Sequence, residues 1–156
     1  MTNRLSHIDI DLSGALPLSA ELEQEQKVAI FDLLEENSFG LPGAPEGPYR
    51  LTLGRSEGRL SFDLTTEAGA AAAEFKLSLG QVRQVVKDYD QICTSYYEAV
   101  KTAAAGEIET LDEARRAIHA EGARMLQERL EGKAEVDGET ARRLFTLVCS
   151  LMAEPK

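Results

Sequence analysis

At 156 residues the chain is long enough to bury one core as a single domain, residues 1–156, without a metal or disulfide staple. Its 17 Lys and Arg against 27 Asp and Glu leave a formal charge of −10. That balance excludes binding driven by nucleic-acid phosphates or anionic lipid and favours a cationic, small or protein partner.

No apolar run is long enough to span a bilayer, so no membrane partner is expected. Cys93 and Cys149 fall on apolar helical stripes, and sparse buried thiols of this kind suit a reducing compartment. A cytoplasmic location is expected.

In chain order, Arg4 to Leu12 alternates, with Ile8, Ile10 and Leu12 on one face and His7, Asp9 and Asp11 on the other, which predicts a half-buried strand. Gly14 and Pro17 end it. Ser19 is placed to cap a first helix running to about Glu36, with Glu21 and Glu23 favourable to its dipole. Val28, Ile30, Phe31 and Leu34 leave that helix little polar circumference, so its C-terminal half is expected to be buried on two sides. From Asn37 to Pro48 the density of Gly and Pro predicts a loop, anchored on the body by Phe39 and Leu41.

Tyr49, Leu51 and Leu53, then Leu60, Phe62 and Leu64, then Ala73, Phe75, Leu77 and Leu79 alternate with polar residues. They predict three consecutive strands, the first two joined through Gly54 to Gly58. Ser78 with Gln81 has the capping-box spacing, followed by the most strongly patterned stretch of the chain, Val82 to Ala103. Its stripe of Val82, Val85, Val86, Tyr89, Ile92, Cys93, Tyr96 and Val100 predicts a helix along which the other elements pack.

Gly106 is expected to stop that helix, and Thr110 with Glu113 to cap a third one, whose inner face carries Leu111, Ala114, Ile118, Gly122, Met125 and Leu126. Gly122 in mid-stripe predicts a close helix crossing. Gly132 ends the third helix and Asp137 caps the last, which carries Leu144, Phe145, Leu147, Val148, Leu151 and Met152. The order β-α-β-β-β-α-α-α predicts an α+β fold: an antiparallel three- to four-stranded meander sheet packed on one face by helices.

The runs Glu35-Glu36-Asn37-Ser38-Phe39, Gly47-Pro48-Tyr49-Arg50-Leu51 and Arg59-Leu60-Ser61-Phe62-Asp63 carry a family resemblance. Together with the opening strand and Phe31-Asp32-Leu33-Leu34, they resemble an uncharacterised bacterial family, number zero-two-six-two, found chiefly in alphaproteobacteria. The resemblance covers nearly the whole chain. It implies a cytoplasmic bacterial protein, and no activity, ligand or catalytic residue.

Catalytic signatures are missing from the sequence: it has no Gly-x-Ser-x-Gly elbow, phosphate-binding glycine loop, His-Glu-x-x-His or Cys-x-x-Cys. His7, Asp9 and Asp11 share a strand face, but i, i+2 positions lie about 6.6 to 6.8 Å apart and read as solvated edge charges. No metal or cofactor is expected. Tyr89, Tyr96 and Tyr97 at helical spacing read as core and core-edge residues.

The candidate ligand groups are Asn37, Ser38, Tyr49 and Arg50, which bracket the Gly/Pro loop, and Arg115 and His119 on the third helix. If the loop lies over the end of the sheet nearest that helix, the six supply donors to a small carboxylate or phosphate. Asp112 paired with Arg116 is the competing, purely structural arrangement. Two functional classes follow. The favoured one is a non-catalytic domain binding a protein partner or itself, as a homodimer through apolar surface left on the C-terminal helices. The alternative is a binding protein or enzyme for an anionic metabolite.

Overall fold

The structure, a computed structural model, describes residues 3–11 and 18–152. Leu12, Gly14 and Pro17, expected at the end of the first strand, lie outside the described residues. The elements are β1 (Leu5–Ile10), α1 (Ala20–Glu35), β2 (Phe39–Gly40), β3 (Tyr49–Ser56), β4 (Arg59–Thr66), β5 (Ala71–Leu77), α2 (Val82–Thr102), α3 (Ala105–Leu130), β6 (Glu135–Val136) and α4 (Gly138–Met152).

The fold is α+β, with a four-stranded sheet of order β1-β3-β4-β5. Here the expected antiparallel arrangement needs correction, because β1 pairs with β3 in parallel while β3-β4-β5 form the antiparallel meander. Alternation of side chains is the same in both pairings and carries no direction. The crossover through α1 does, returning the chain so that β3 starts at the same end of the sheet as β1. Leu51, Leu53, Leu60 and Leu64 are fully buried on the inner face of the meander.

A second, two-stranded sheet pairs Phe39 with Val136 and Gly40 with Glu135. It ties the start of the Gly/Pro loop to the connection between α3 and α4. Phe39 and Leu41 are buried, as the loop's apolar anchors require.

The helix ends differ from their sequence signals in three places. Gln81 precedes α2 without a side-chain cap bond, so the capping box expected of Ser78 and Gln81 is not what starts the helix, and Gly80 turns the chain into it at φ +55. The third helix starts at Ala105, so Gly106 lies in its first turn instead of stopping α2. Thr110, expected as a cap, donates its hydroxyl to Gly106 O at 3.0 Å inside the helix. Ser19 and Asp137 do cap, accepting from the amides of Leu22 at 3.2 Å and Thr140 at 2.8 Å.

The packing centre is α4, not α2. Leu144, Phe145, Leu147 and Val148 are fully buried, and Cys149, Leu151 and Met152 nearly so. The second half of this helix, Leu147 to Met152, is buried on every side and must be covered on every side. The others surround α4, which contacts α1, α2, α3 and β3. The α2 helix keeps the wet face its sequence predicted and packs chiefly on α3. The crossing of α3 over α4 is close at Gly122, where an added Cβ would lie 2.1 Å from Phe145 Cζ.

Candidate functional site

Helices α1 and α4 pack together and leave between them a cleft of about 220 Å³. Glu25, Val28 and Asp32 line it from α1, and Arg142, Arg143 and Thr146 from α4. Arg143 is committed to structure: its Nη1 donates to the Asp32 and Glu36 carbonyls at 3.3 and 3.1 Å, satisfying the last turn of α1. Arg142 donates to Glu139 at 3.0 Å.

Beneath the cleft lies a polar cluster joining all four helices. Tyr89 Oη donates to Glu25 Oε1 at 3.0 Å, and Arg115 Nη1 approaches the same oxygen at 4.0 Å. Arg115 Nη2 donates to Asp112 at 2.6 Å, while its guanidinium carbon lies 4.7 Å from the Tyr96 ring centroid. His119 Nε2 and Thr146 Oγ1 are 2.8 Å apart, and the imidazole meets Tyr89 and Phe145 edge-on. Glu25 Oε2 and Arg115 Nε are buried without a hydrogen-bond partner among the described residues.

The electrostatics of this cluster oppose reactivity. Burial, with the charges of Arg142 and Arg115, pushes the His119 pKa down to about 4, so the ring is neutral near pH 7 and a weak base toward Thr146. Burial pushes the Cys93 thiol up to about 11 and raises Cys149 well above the usual thiol range. Neither is a ready nucleophile. Tyr89 and Tyr97 are likewise raised, first by burial and then by the Glu25 charge. Asp112 is lowered by the hydrogen bond from Arg115.

The six residues expected to converge on a ligand fall into two groups. Asn37 is consumed by backbone: its Oδ1 accepts from Leu5 N at 2.7 Å, and its Nδ2 donates to the Leu5 and Leu33 carbonyls at 3.0 and 2.7 Å. Ser38 donates its amide to Thr140 Oγ1 at 2.9 Å. Tyr49 is buried with its hydroxyl on Pro45 O at 2.7 Å, closing the Gly/Pro loop on itself. Arg50 is exposed on β3 beside His7 of β1.

Arg115 and His119 belong instead to the four-helix cluster. Their α4 contact is at Thr146, whereas Ser38 meets α4 at Thr140, six residues and about 9 Å of helix rise away. The Asn37 amide and the Tyr49 phenol are thus engaged in folding, Ser38 is held through its backbone amide, and none of these bonds reaches the Arg115–His119 group.

Sequence reasoning missed Glu25 and Thr146, whose neighbours come from other elements, and misjudged one side of α1. Val28, Phe31 and Leu34 are 47%, 63% and 37% exposed, so the stripe expected to be buried faces outward. The signal was present in the excess of apolar residues over what one buried face needs. Its direction was not.

Among the described residues no three His, Cys, Asp or Glu side chains are grouped to hold a metal ion, and His7 Nε2 lies 2.9 Å from Asp9 Oδ2. No helix among them is long and apolar enough to cross a membrane.

The signature of the Uncharacterised protein family (UPF0262) matches residues 2–154. A UPF0262 protein of Paracoccus denitrificans (strain Pd 1222) is 62% identical over 155 residues, covering 96% of each chain. Another, from Cereibacter sphaeroides (strain ATCC 17023), is 63% identical over 154 residues, covering 96% of this chain and 98% of its own. A third, from Ruegeria pomeroyi (strain DSS-3), is 61% identical over 154 residues, covering 96% of each. No solved structure matches the chain. A match over nearly the whole length, with relatives of the same length at about 62% identity, places the chain in the UPF0262 family.

Proposed function

We propose that the protein is a non-catalytic interaction domain whose binding surface is the outer stripe of α1, and that its partner is a protein segment carrying apolar and basic residues. The observation that carries this reading is Phe31, 63% exposed between Val28 and Leu34 at steps of three along one helix. Large apolar side chains in a contiguous exposed row are costly to hydrate and mark contact sites. Around the row, α1 carries Glu21, Glu23, Asp32 and Glu35 against the single Lys27, while Glu25 is turned inward to Tyr89. With the chain at −10, that favours a basic occupant. The buried free thiols fit a reducing compartment such as the bacterial cytoplasm.

Affinity capture from the native cell with unmodified protein and Phe31→Glu as parallel baits tests the reading. The unmodified bait retains a specific partner, released by salt, that the variant does not retain. Identical retention on both baits, with the variant's melt unchanged, contradicts it.

The alternative reading, an anionic metabolite, would place the ligand in the α1–α4 cleft against Arg142 and Arg143. Those guanidiniums already serve Glu139 and the end of α1, and Glu25 and Asp32 share the cleft. A thermal-shift panel of carboxylates and phosphates is expected to leave the melting temperature unchanged. A concentration-dependent rise with one of them, lost on Arg142→Ala, would favour the metabolite instead.

A further inference from the structure

The α4 surface expected to mediate self-association is buried within one chain, but a different element is built for it. Strand β5 is one of the two edges of the main sheet and, among the described residues, is bonded to β4 on one side only. An edge strand offers a row of backbone donors and acceptors to any chain that matches it. We propose that β5 pairs with β5 of a second copy, antiparallel about a two-fold axis at Phe75, to make one continuous sheet across a homodimer.

The register follows from the side chains. A two-fold axis normal to the sheet must pass at a residue if facing side chains are to share a face. Centred on Phe75, it sets Glu74 against the second copy's Lys76 and Lys76 against the second copy's Glu74. Ala73 then faces Leu77. Moving the centre one residue either way sets Glu74 against Glu74 or Lys76 against Lys76, and like charges directly opposite repel. The Phe75 register alone is complementary among the three.

The monomer leaves these charges unanswered. Within one chain Glu74 stands opposite Asp63, another acid, and Lys76 opposite Ser61. Neither Glu74 nor Lys76 has an ion pair or a side-chain hydrogen bond among the described residues, and both are exposed. A second copy supplies each with an opposite charge. On the inner face, Phe75 stacks on the buried Phe62 with ring centroids 4.8 Å apart, and a second Phe75 extends that stack across the axis. Lys133, exposed and with its ammonium 5.6 Å from the Phe75 centroid, covers the ring in the single chain and is flexible enough to be displaced.

The surface is separate from the α1 stripe, so the two readings stand or fall apart. Sedimentation of the full chain over micromolar concentrations tests this one with charge reversals. The unmodified protein sediments as a dimer, and Glu74→Lys or Lys76→Glu each weakens dimerisation roughly tenfold or more. Because Lys at position 74 would face Asp63, the first variant keeps a fold at least as stable, which its thermal melt verifies. The double variant Glu74→Lys/Lys76→Glu dimerises again, and the two single variants mixed in equal amounts form a heterodimer. A monomeric unmodified protein, single variants that dimerise undiminished, or a dimer abolished by Phe31→Glu each overturns the proposal.

Discussion

Two single residues test whether the interior is as tightly determined as its geometry implies. At Gly122 the Phe145 ring occupies the space an alanine methyl would need, with Cζ only 2.1 Å from the ideal Cβ position. Alanine is the better helix former by about 1 kcal/mol, yet overpacking a close crossing costs about 1 to 3 kcal/mol, and the ring is hemmed in on all sides. Gly122→Ala is therefore expected to lower the urea midpoint. An increase would show that α3 and α4 separate easily.

At His119 the sign follows from the pKa. In the folded chain it lies near 4 and in the unfolded chain near 6.5, so between these values the unfolded state binds the extra proton. The stability due to this group is complete above about pH 6.5 and is lost as pH falls toward 4, by about 3 kcal/mol in all. Arg142 and Arg115 disfavour a third positive charge there. His119→Gln, which can still reach Thr146, is expected to flatten the slope of stability against pH over that window relative to the unmodified chain. An unchanged slope would show that the imidazole protonates freely in the fold.

Among the elements, α4 bears the packing that α2 was expected to bear. Leu144→Ala is expected to cost about 2 to 5 kcal/mol, the range for a fully buried leucine, and Ile92→Ala on α2 clearly less, since Ile92 is only partly buried. Paired denaturant melts compare them, and a larger loss at Ile92 would restore α2 as the centre. The error has a physical source. Amphipathic contrast is strongest in a helix with one wet face, so the stripe from Val82 to Ala103 was easy to read. Glu139, Arg142 and Arg143 give α4 a contrast of the same kind in its first half, and the unbroken buried run from Leu147 to Met152 is what sets it apart as covered all round.

The three meander strands were legible because alternation and turn residues coincide. The parallel pairing of β1 was not, since its direction depends on where the chain re-enters the sheet. Of the six candidate residues, Arg115 and His119 share one polar cluster, as their spacing on one helix implied, and the loop residues do not join it. Asn37 and Tyr49 have side-chain groups that bind ligands, but here their partners are Leu5 and Pro45, and the Ser38 backbone amide is taken by Thr140. Pattern reveals which groups are polar, and only the fold reveals which of them are spent.

In the whole molecule, a core centred on α4 is enclosed by three other helices and the sheet, while two kinds of surface are left with uncompensated chemistry. One is the apolar row on α1 within an acidic helix, the other the charged edge of β5. Amide hydrogen exchange, followed in the unmodified chain alone and with its retained partner, tests the central claim that the α1 row is the binding surface. Protection is expected to rise in α1 from about Gln24 to Glu35, the turns that carry Val28, Phe31 and Leu34, with α2 and the outer sheet face unchanged. Protection that appears elsewhere and leaves these turns of α1 exchanging as in the free chain would contradict it.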